Sequence, residues 1–458
     1  MRAPPFTTVL GTVLVGVVSG FVLAALALAP TVAQERKTRD MLVREDRANV
    51  EGDGFWIYND LPAALGKAKE TGKPLLVVFR CIPCDACAKL DADIVERDPQ
   101  VRELLQKFVC LRIVHANHLD LALFQFDYDQ SFAAFFMHAD KTIYGRYGTR
   151  SHQTKSEDDV SLEGFTKALT AALELHKSYP GNASSLAGKS SQDKPAHAVP
   201  EQYSQLRGKY TGKLDYEGKV AQSCIHCHQV GEAQRHEFRA AGKPLPDKLL
   251  FPYPHPKTFG LVMDPKEKAT VKRIVTGSQA ERDGFQAGDE IVSLARQPLL
   301  SLADIQWVLH NAPAEGKLPA VVRRKGQTRS VERQLALEKG WRQLGDLSWR
   351  STSWSLRRMT TGGMVLEDVS EDARRKAGLA ADALALRVRY LGQYGPHAAA
   401  KQAGFRVGDV ILSVGGRAEP MRETDLFALL VQKKANEQVP FIVLREGKRQ
   451  ELTLRTQD

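Results

Sequence analysis

Two pairs of cysteines, each separated by two residues, are the chain's clearest candidates for chemistry. Cys84 and Cys87 form the first pair, and Cys224 and Cys227 form the second. All six cysteines lie before residue 228, whereas a domain held together by disulfides spreads its cysteines more evenly. The pattern therefore indicates redox chemistry and cofactor attachment rather than structural cross-linking.

The first pair is placed for thiol chemistry. It follows an apolar run, Leu75–Phe79, that predicts a buried strand, and a predicted helix begins near Cys87. A thiol at a helix N-terminus is stabilised as a thiolate by unpaired backbone N–H groups and by the helix dipole. We therefore expect Cys84 to be the attacking thiol, with a lowered pKa, and Cys87 to resolve the mixed disulfide.

The second pair is followed directly by His228, which completes the Cys-x-x-Cys-His pattern of covalent haem attachment. The thiols of Cys224 and Cys227 would bond to the haem vinyl groups, and His228 would bind the iron as the proximal ligand. The sequence thus predicts covalently bound haem c, with a zinc or plain dithiol site as the alternative. The candidates for the sixth iron ligand are two histidines and, less favourably, a methionine expected in the next domain's core: His236, His255 and Met263.

The elements around the first pair alternate between helix and strand over residues 45–180, which predicts an α/β layer fold. Cys110 lies within one of the strands and is expected to be a buried core residue. The elements expected are helix 63–69, strand 75–79, a helix after Asp98 and Pro99, strands 108–114 and 143–147, and a closing helix from Leu162.

Residues 50–180, with the Leu75–Phe79 run followed by Cys84 and Cys87, resemble a thioredoxin-like domain of the exported kind. Val78 stands where thioredoxins often carry a buried Asp, and Ser131 stands where they carry a cis-proline. A third cysteine, Cys81, could compete for the usual bridge. The alternatives to catalysis are a plain disulfide and, less favourably, a metal site.

The N-terminus predicts export. Arg2 precedes an uncharged stretch from Phe6 to Ala29, and small residues follow at a plausible cleavage site. Residues 1–33 are therefore a signal peptide or an N-terminal membrane anchor, and the expected location is the periplasm. Residues 34–50 read as a tether, 181–201 as a flexible linker, and 202–250 as a short haem-binding segment.

The C-terminal part contains an internal repeat, because residues 284–291 match residues 404–411 in type and order. Both copies, 251–337 and 338–458, resemble bacterial PDZ domains, which are partly open β-barrels. The resemblance implies binding of an extended peptide and of its carboxylate by a glycine-containing loop. The loop residues expected are Phe259, Gly260 and Leu261 in copy one, and Gly378 and Leu379 in copy two.

A basic insertion with several tryptophans precedes the loop expected in copy two, so we expect it to cover that groove and copy one to be the principal peptide site. A packing role alone is the alternative for both copies.

The net charge of +10 is concentrated partly in residues 323–358, but no nucleic-acid-binding module accompanies it. We therefore expect a solvated basic face, or contact with anionic lipid, and no nucleic-acid partner.

The whole order of domains resembles a bacterial exported thioredoxin-like/PDZ family, some members of which carry selenocysteine near the redox motif. This chain has only cysteine there. The expected fold class is multidomain α/β and α+β. The expected function is thiol–disulfide redox chemistry with covalent haem c, with PDZ domains that engage protein C-termini or extended segments. The alternative is a non-catalytic haem-based redox sensor or scaffold.

Overall fold

A computed structural model describes residues 37–80, 82, 98–130, 132–152, 158–191, 193–324 and 326–458. The predicted thiols Cys84 and Cys87, together with Cys81 and Ser131, lie outside these residues. Residues 39–458 form one compact unit, and residues 1–36 of the preceding unit are outside the description. None of the described helices is long and apolar enough to cross a membrane.

The first domain is a five-stranded sheet with helices on both faces. Its strands lie in the order β1-β3-β2-β4-β5; β1, β3 and β2 are parallel, and β4 and β5 are antiparallel to their neighbours. The elements are α1 (Arg39–Asp53), β1 (Ile57–Tyr58), α2 (Leu61–Thr71), β2 (Leu75–Arg80), α3 (Pro99–Leu105), β3 (Val109–Ile113), β4 (Phe132–Met137), β5 (Ile143–Tyr147) and α4 (Leu162–Lys177).

Local sequence signals explain these elements, which confirm those predicted within the described residues; the helix predicted near Cys87 lies outside them. Asp98 caps α3, since its Oδ1 accepts hydrogen bonds from the backbone N–H groups of Gln100 and Val101, and Pro99 occupies the first turn. Strand β2 is buried on both faces: Leu76 and Val78 join one core cluster, and the alternate residues join another. The residues expected to form a tether after residue 34 instead include α1, which packs on this domain through Asp46.

The segment after the first domain contains α5 (Ala183–Leu186), α6 (Val220–Ser223), α7 (Cys227–Ala240) and α8 (Asp247–Leu250). The sequence predicts a flexible linker over 181–201, and the structure corrects this. Lys189 is fully buried, with its Nζ 2.8 Å from Asp304 Oδ1, and Trp307 Nε1 donates to Gly188 O at 2.8 Å. Composition misses this packing because a single buried leucine, Leu186, and a few polar contacts hold the segment in place.

The two repeats fold alike and confirm the predicted duplication. Copy one contains β6 (Leu261–Met263), β7 (Val271–Ile274), α9 (Gln279–Arg282), β8 (Glu290–Leu294), β9 (Gln297–Pro298), α10 (Leu302–Asn311), β10 (Gly316–Arg323) and β11 (Val331–Leu337). Copy two contains α11 (Ser353–Thr361), β12 (Met364–Asp368), α12 (Glu371–Lys376), β13 (Leu386–Leu391), α13 (Ala399–Gln402), β14 (Val410–Val414), α14 (Glu423–Val431), β15 (Gln438–Arg445) and β16 (Lys448–Arg455).

The repeated Gly-Asp turn is held by an arginine in both copies. In copy one, Arg324 Nε donates to Asp289 Oδ1 at 2.9 Å. In copy two, Arg445 Nε donates to Asp409 Oδ1 at 2.7 Å. Both carboxylates are almost fully buried, so the arginine neutralises a charge that would otherwise be costly to bury. This shared contact explains why the turn and the hairpin arginine recur at the same spacing.

Candidate functional site

The predicted haem motif is fixed to the loop that follows β3. Ile225, between the two cysteines, is fully buried; its N–H donates to Asn117 Oδ1 at 2.7 Å, and its carbonyl accepts from Ala116 N at 2.7 Å. Asn117 Nδ2 also donates to Ser223 O at 2.9 Å. The motif is therefore an integral part of the first domain's surface rather than a separate haem domain.

The helix of the motif completes one face of the thioredoxin-like sheet. Val230 and Ala233 of α7 are fully buried in the same cluster as Phe79 and Phe135 of the sheet. Because these apolar side chains share a core cluster with the sheet, α7 depends on the first domain for its core. The position of the motif is thus set by packing as well as by hydrogen bonds.

A small hydrophobic cluster lies at the edge of the sheet where β2 and β3 end. It contains Ile82, Val114 and Val220. Ile82 precedes Cys84 by two residues in the sequence, and Val220 precedes Cys224 by four. Because β2 and β3 are parallel, their carboxyl ends lie at one edge of the sheet, and the chain segments leading to both cysteine pairs meet there.

The two motif cysteines are present as thiols in different environments. Cys224 is only 4% exposed, and its Sγ donates to Val220 O at 3.2 Å. Burial raises the pKa of Cys224 to about 11. Cys227, the first residue of α7, is partly exposed. A thioether at Cys224 would therefore require the turn around Val220 to open.

The imidazole of His228 is suited to bind a metal. Its Nδ1 lies 3.4 Å from Glu232 Oε1, one turn further along α7. Burial disfavours protonation of His228, but the Glu232 carboxylate outweighs this effect, so the pKa of His228 is raised. A carboxylate at one ring nitrogen fixes the ring and leaves Nε2 for iron. Two thiols for the haem vinyl groups and one imidazole for the iron are the groups that haem c would need, and the motif contains them.

The candidates for the sixth iron ligand are dispersed. His236 lies on α7 eight residues after His228, about 12 Å further along the helix axis. His255 is partly buried in copy one, where its Nδ1 accepts a hydrogen bond from Lys257 N. Met263 is a core residue of β6, as the sequence predicts. The described residues contain no cluster of three or more side chains arranged for metal binding.

The expected peptide loop of copy one precedes β6. Phe259 ends a short 3-10 helix and is buried, Gly260 adopts a positive φ of 85°, and Leu261 begins the strand. The Gly260 N–H donates to Lys257 O at 2.9 Å, and its carbonyl accepts from Val275 N at 3.0 Å. These residues therefore lie where the sequence expects a carboxylate loop, with the glycine N–H used to close the preceding turn.

The corresponding loop of copy two is not at Gly378 and Leu379. These residues follow α12, after β12 has already been completed. Gly363 occupies the equivalent position: its φ is 87°, its N–H donates to Arg357 O at 2.9 Å, and its carbonyl accepts from Gly392 N at 3.0 Å. Alignment of the two repeats misses Gly363 because α12 is inserted between the first two strands of copy two. The insertion changes the offset between equivalent residues of the two copies.

A helix of the same chain lies beside the expected groove of copy two. Helix α11 packs against both β12 and α14, the two elements that border the groove. Arg357 of α11 forms a buried ion pair with Glu423 of α14, with Nη2 2.6 Å from Oε2, and Glu423 Oε1 accepts from Leu366 N in β12. Because these contacts use a backbone donor of the strand itself, an added peptide strand would have to displace them.

Comparison with family models agrees with this architecture. Residues 56–139 match a thioredoxin-like model, and residues 270–324 and 395–456 each match a PDZ domain model. The chain contains a thioredoxin-like domain and two PDZ domains. These domains together indicate redox and peptide-binding roles.

Solved structures similar to this chain include two complexes of an HtrA-type protease, AlgW. The complex with a decapeptide is 16% identical, with 30% of this chain and 41% of that chain covered and a TM-score of 0.20. The complex with a tripeptide is 21% identical, with 21% and 30% covered and a TM-score of 0.18. This chain spans less than half the length of either structure. A search of curated proteins gave no match.

Proposed function

We propose that this protein is an exported thiol–disulfide redox protein that carries covalently bound haem c and uses its PDZ domains to engage protein C-termini or extended segments. The observation that carries the proposal is the attachment of the haem motif to the edge of the thioredoxin-like sheet, through Ile225 and Asn117. Export to the periplasm is part of the proposal and rests on the N-terminal sequence.

Three residues would hold the haem. Cys224 and Cys227 would form the thioethers, and His228, oriented by Glu232, would bind the iron. Bound haem would supply a one-electron iron couple. The chain's own contribution is to hold the histidine ring at Nδ1 and to bury one side of the motif against the sheet, which excludes water from that side.

Haem attachment is tested by expression in the periplasm together with the cytochrome c maturation machinery. We expect the colour to remain with the protein after extraction with acid and acetone, and to be lost in the double variant Cys224→Ala/Cys227→Ala. Cys110→Ala is the matched control, because Cys110 is a buried core cysteine outside both motifs. Colour that extracts from the wild type would refute the proposal.

Thiol exchange is tested separately with glutathione disulfide. Oxidation of the Cys84–Cys87 dithiol to a disulfide would release two electrons and two protons and convert one glutathione disulfide to two glutathione molecules. We expect Cys84→Ala to abolish this reaction and Cys87→Ala to stop at a mixed disulfide. Equal activity in Cys84→Ala and the wild type would rule out the assigned roles.

A haem-based sensor or scaffold is the second candidate, and the packing of the PDZ domains favours it. Helix α11 packs against α14 of copy two, and α10 of copy one packs against β5 of the thioredoxin-like domain. Domains held in this way can transmit a change between neighbours without binding a client. Retained haem together with no exchange activity would select this candidate.

A further inference from the structure

A half-open cavity of about 360 Å³ lies beside α7, between the thioredoxin-like domain and copy one. Its volume is within the range of small-ligand pockets. Most of its wall is apolar or aromatic, and the residues that form this part include Leu121, Phe126, Tyr128, Tyr203 and Leu249. The cavity therefore suits an apolar group that is covered on one side and open to solvent on the other.

The carboxylates of the wall already have basic partners, so they do not need a charged ligand. On the described wall, carboxylates outnumber lysine and arginine side chains, and an anionic group would be repelled there. The cavity thus favours an uncharged occupant. The existing pairs are Arg350 with Asp127 and Asp129 at 2.6 and 3.1 Å, Lys248 with Asp193 at 3.0 Å, and His197 with Glu237 at 3.0 Å.

The haem motif and the cavity share one face of α7. Cys227 begins the helix, and three residues follow it at intervals of four, three and four positions: Gly231, Gln234 and Phe238. Positions at this spacing lie along one side of a helix. All three of these residues line the cavity. The cavity therefore begins one turn after Cys227, about 6 Å further along the helix axis.

The side chain of Cys227 also packs beside the residues of the wall. It contacts the core cluster that contains Leu121, Phe126 and Tyr203. The Cys227 sulfur lies close enough to Tyr128 to raise the pKa of that tyrosine, although burial and two other tyrosines raise it more. A group bonded to Cys227 would therefore lie next to the cavity.

Gly231 leaves this end of the cavity open. Glycine is unfavourable inside a helix unless the backbone or the packing requires it. Here neither does: the φ of Gly231 is not positive, and a Cβ would meet nothing within 4 Å outside its own helix. Because Gly231 lines the cavity, a larger side chain at this position would take up cavity space instead.

We propose that the cavity receives the uncharged edge of the haem attached at Cys227, and that Gly231 provides the space for it. This inference rests on the proposed function. The vinyl positions of haem, which bond to cysteine, lie on the edge of the ring opposite the propionates. The apolar wall would cover the vinyl edge. The propionates would stay outside, in keeping with the excess of carboxylates on the wall.

The first measurement asks whether the haem touches the wall. The full chain with covalent haem is labelled at its leucine methyl groups and studied by NMR in the reduced form under carbon monoxide, in which the iron is diamagnetic. We expect nuclear Overhauser contacts between haem methyl protons and Leu121 or Leu249 of the wall. Leu309, in the core of copy one, is the control and should show none.

The second measurement compares two glycines. Gly231→Leu should remove these contacts, because the new side chain would occupy the space of the haem edge. It should also lower the reduction potential of the haem, since the ring becomes more exposed to water. Gly66→Leu is the matched control, because Gly66 is an exposed glycine of α2 whose Cβ would also meet nothing within 4 Å. It should change neither quantity.

Contacts in the wild type that are lost in Gly231→Leu and kept in Gly66→Leu would support the proposal. Three results would overturn it and leave the proposed function standing: retained haem without contact to either leucine, unchanged contacts in Gly231→Leu, or the same result for both glycine variants. A chain that acquires no covalent haem would refute the proposed function, and this inference with it.

Discussion

The two PDZ copies share a core but use the start of their long helix to hold different neighbours. In copy one, Asp304 of α10 is fully buried and pairs with Lys189 from the preceding segment. In copy two, Glu423 of α14 is 7% exposed and pairs with Arg357 of α11. The first turn of this helix thus ties copy one to the thioredoxin-like side of the molecule and ties copy two to its own inserted helix.

The two PDZ cores are alike, so the elements packed around each core determine whether that copy can bind a peptide. Both copies keep the buried aspartate and its arginine, Asp289 with Arg324 and Asp409 with Arg445. In copy two, α11 also packs against α14, one border of the expected groove. We therefore expect copy one to remain the principal peptide site.

The largest effect should come from breaking the ion pair of copy two. Arg357→Met leaves the buried Glu423 carboxylate without its cation, so we expect the free energy of unfolding to fall by about 3–5 kcal/mol. Hydrogen exchange should quicken first in α11 and α14. Arg375→Met, at an exposed pair, is the control and should change stability by less than about 0.5 kcal/mol. An equal loss of unfolding free energy in Arg357→Met and Arg375→Met would contradict a structural role for the buried ion pair of copy two.

The matching change in copy one is Lys189→Met, which leaves Asp304 without its cation. We expect a loss of similar size, but hydrogen exchange should quicken in α10 and in β5 of the thioredoxin-like domain, where Asp304 Oδ1 also accepts from Arg146 N at 3.2 Å. If Lys189→Met and Arg357→Met loosened the same elements, the two helices would not hold separate neighbours.

The assignment of the copy-two loop can be sharpened with glycine substitutions. A Cβ on Gly363 would lie 2.0 Å from His397 O, whereas one on Gly378 would meet nothing within 4 Å. Both glycines have positive φ, so Gly363→Ala should cost about 3 kcal/mol and Gly378→Ala about 1 kcal/mol. Chemical denaturation of the two variants measures the difference. A larger loss of stability in Gly378→Ala than in Gly363→Ala would instead assign the copy-two loop to Gly378.

Acid should weaken copy one more than copy two. His310 is buried among Lys248, Arg342, Arg350 and Arg146, and burial first, then these cations, hold its pKa well below the ordinary 6.5. The folded state therefore resists a proton that the unfolded state accepts, so this stability is present above pH 6.5 and is lost as pH falls below it.

The expected loss is about 1.4 kcal/mol per pH unit, or about 2 kcal/mol at pH 5. His310→Gln should flatten the pH dependence of unfolding, while His397→Gln in copy two, where the histidine is more exposed, should leave it nearly unchanged. An unaltered pH profile in His310→Gln would exclude this histidine as the cause.

Local patterns predicted most of the elements, because each depends on residues close together in sequence. The apolar run Leu75–Phe79, the Asp98 cap and the repeated Gly-Asp turn all lie where the sequence places them. The buried Cys110 also follows from its strand.

Contacts between distant segments could not be predicted in this way. Lys189 is polar and flanked by small residues, so nothing in the neighbouring sequence indicates that it is buried and paired with Asp304. Arg235 looks like an ordinary helix-surface arginine until copy one and the first domain enclose it. The Gly378 assignment failed because an insertion separates the two aligned strands, and only the hydrogen bonds of Gly363 reveal the equivalent turn.

The central claim is that the motif on the thioredoxin-like sheet carries covalent haem, and peptide mass spectrometry tests it most directly. Protein from cells with the maturation machinery would be digested and alkylated, and the peptide containing Cys224 and Cys227 would be weighed. We predict one haem group bonded through both sulfurs, with neither available to alkylation. Two alkylated thiols on an otherwise unmodified peptide would contradict the account.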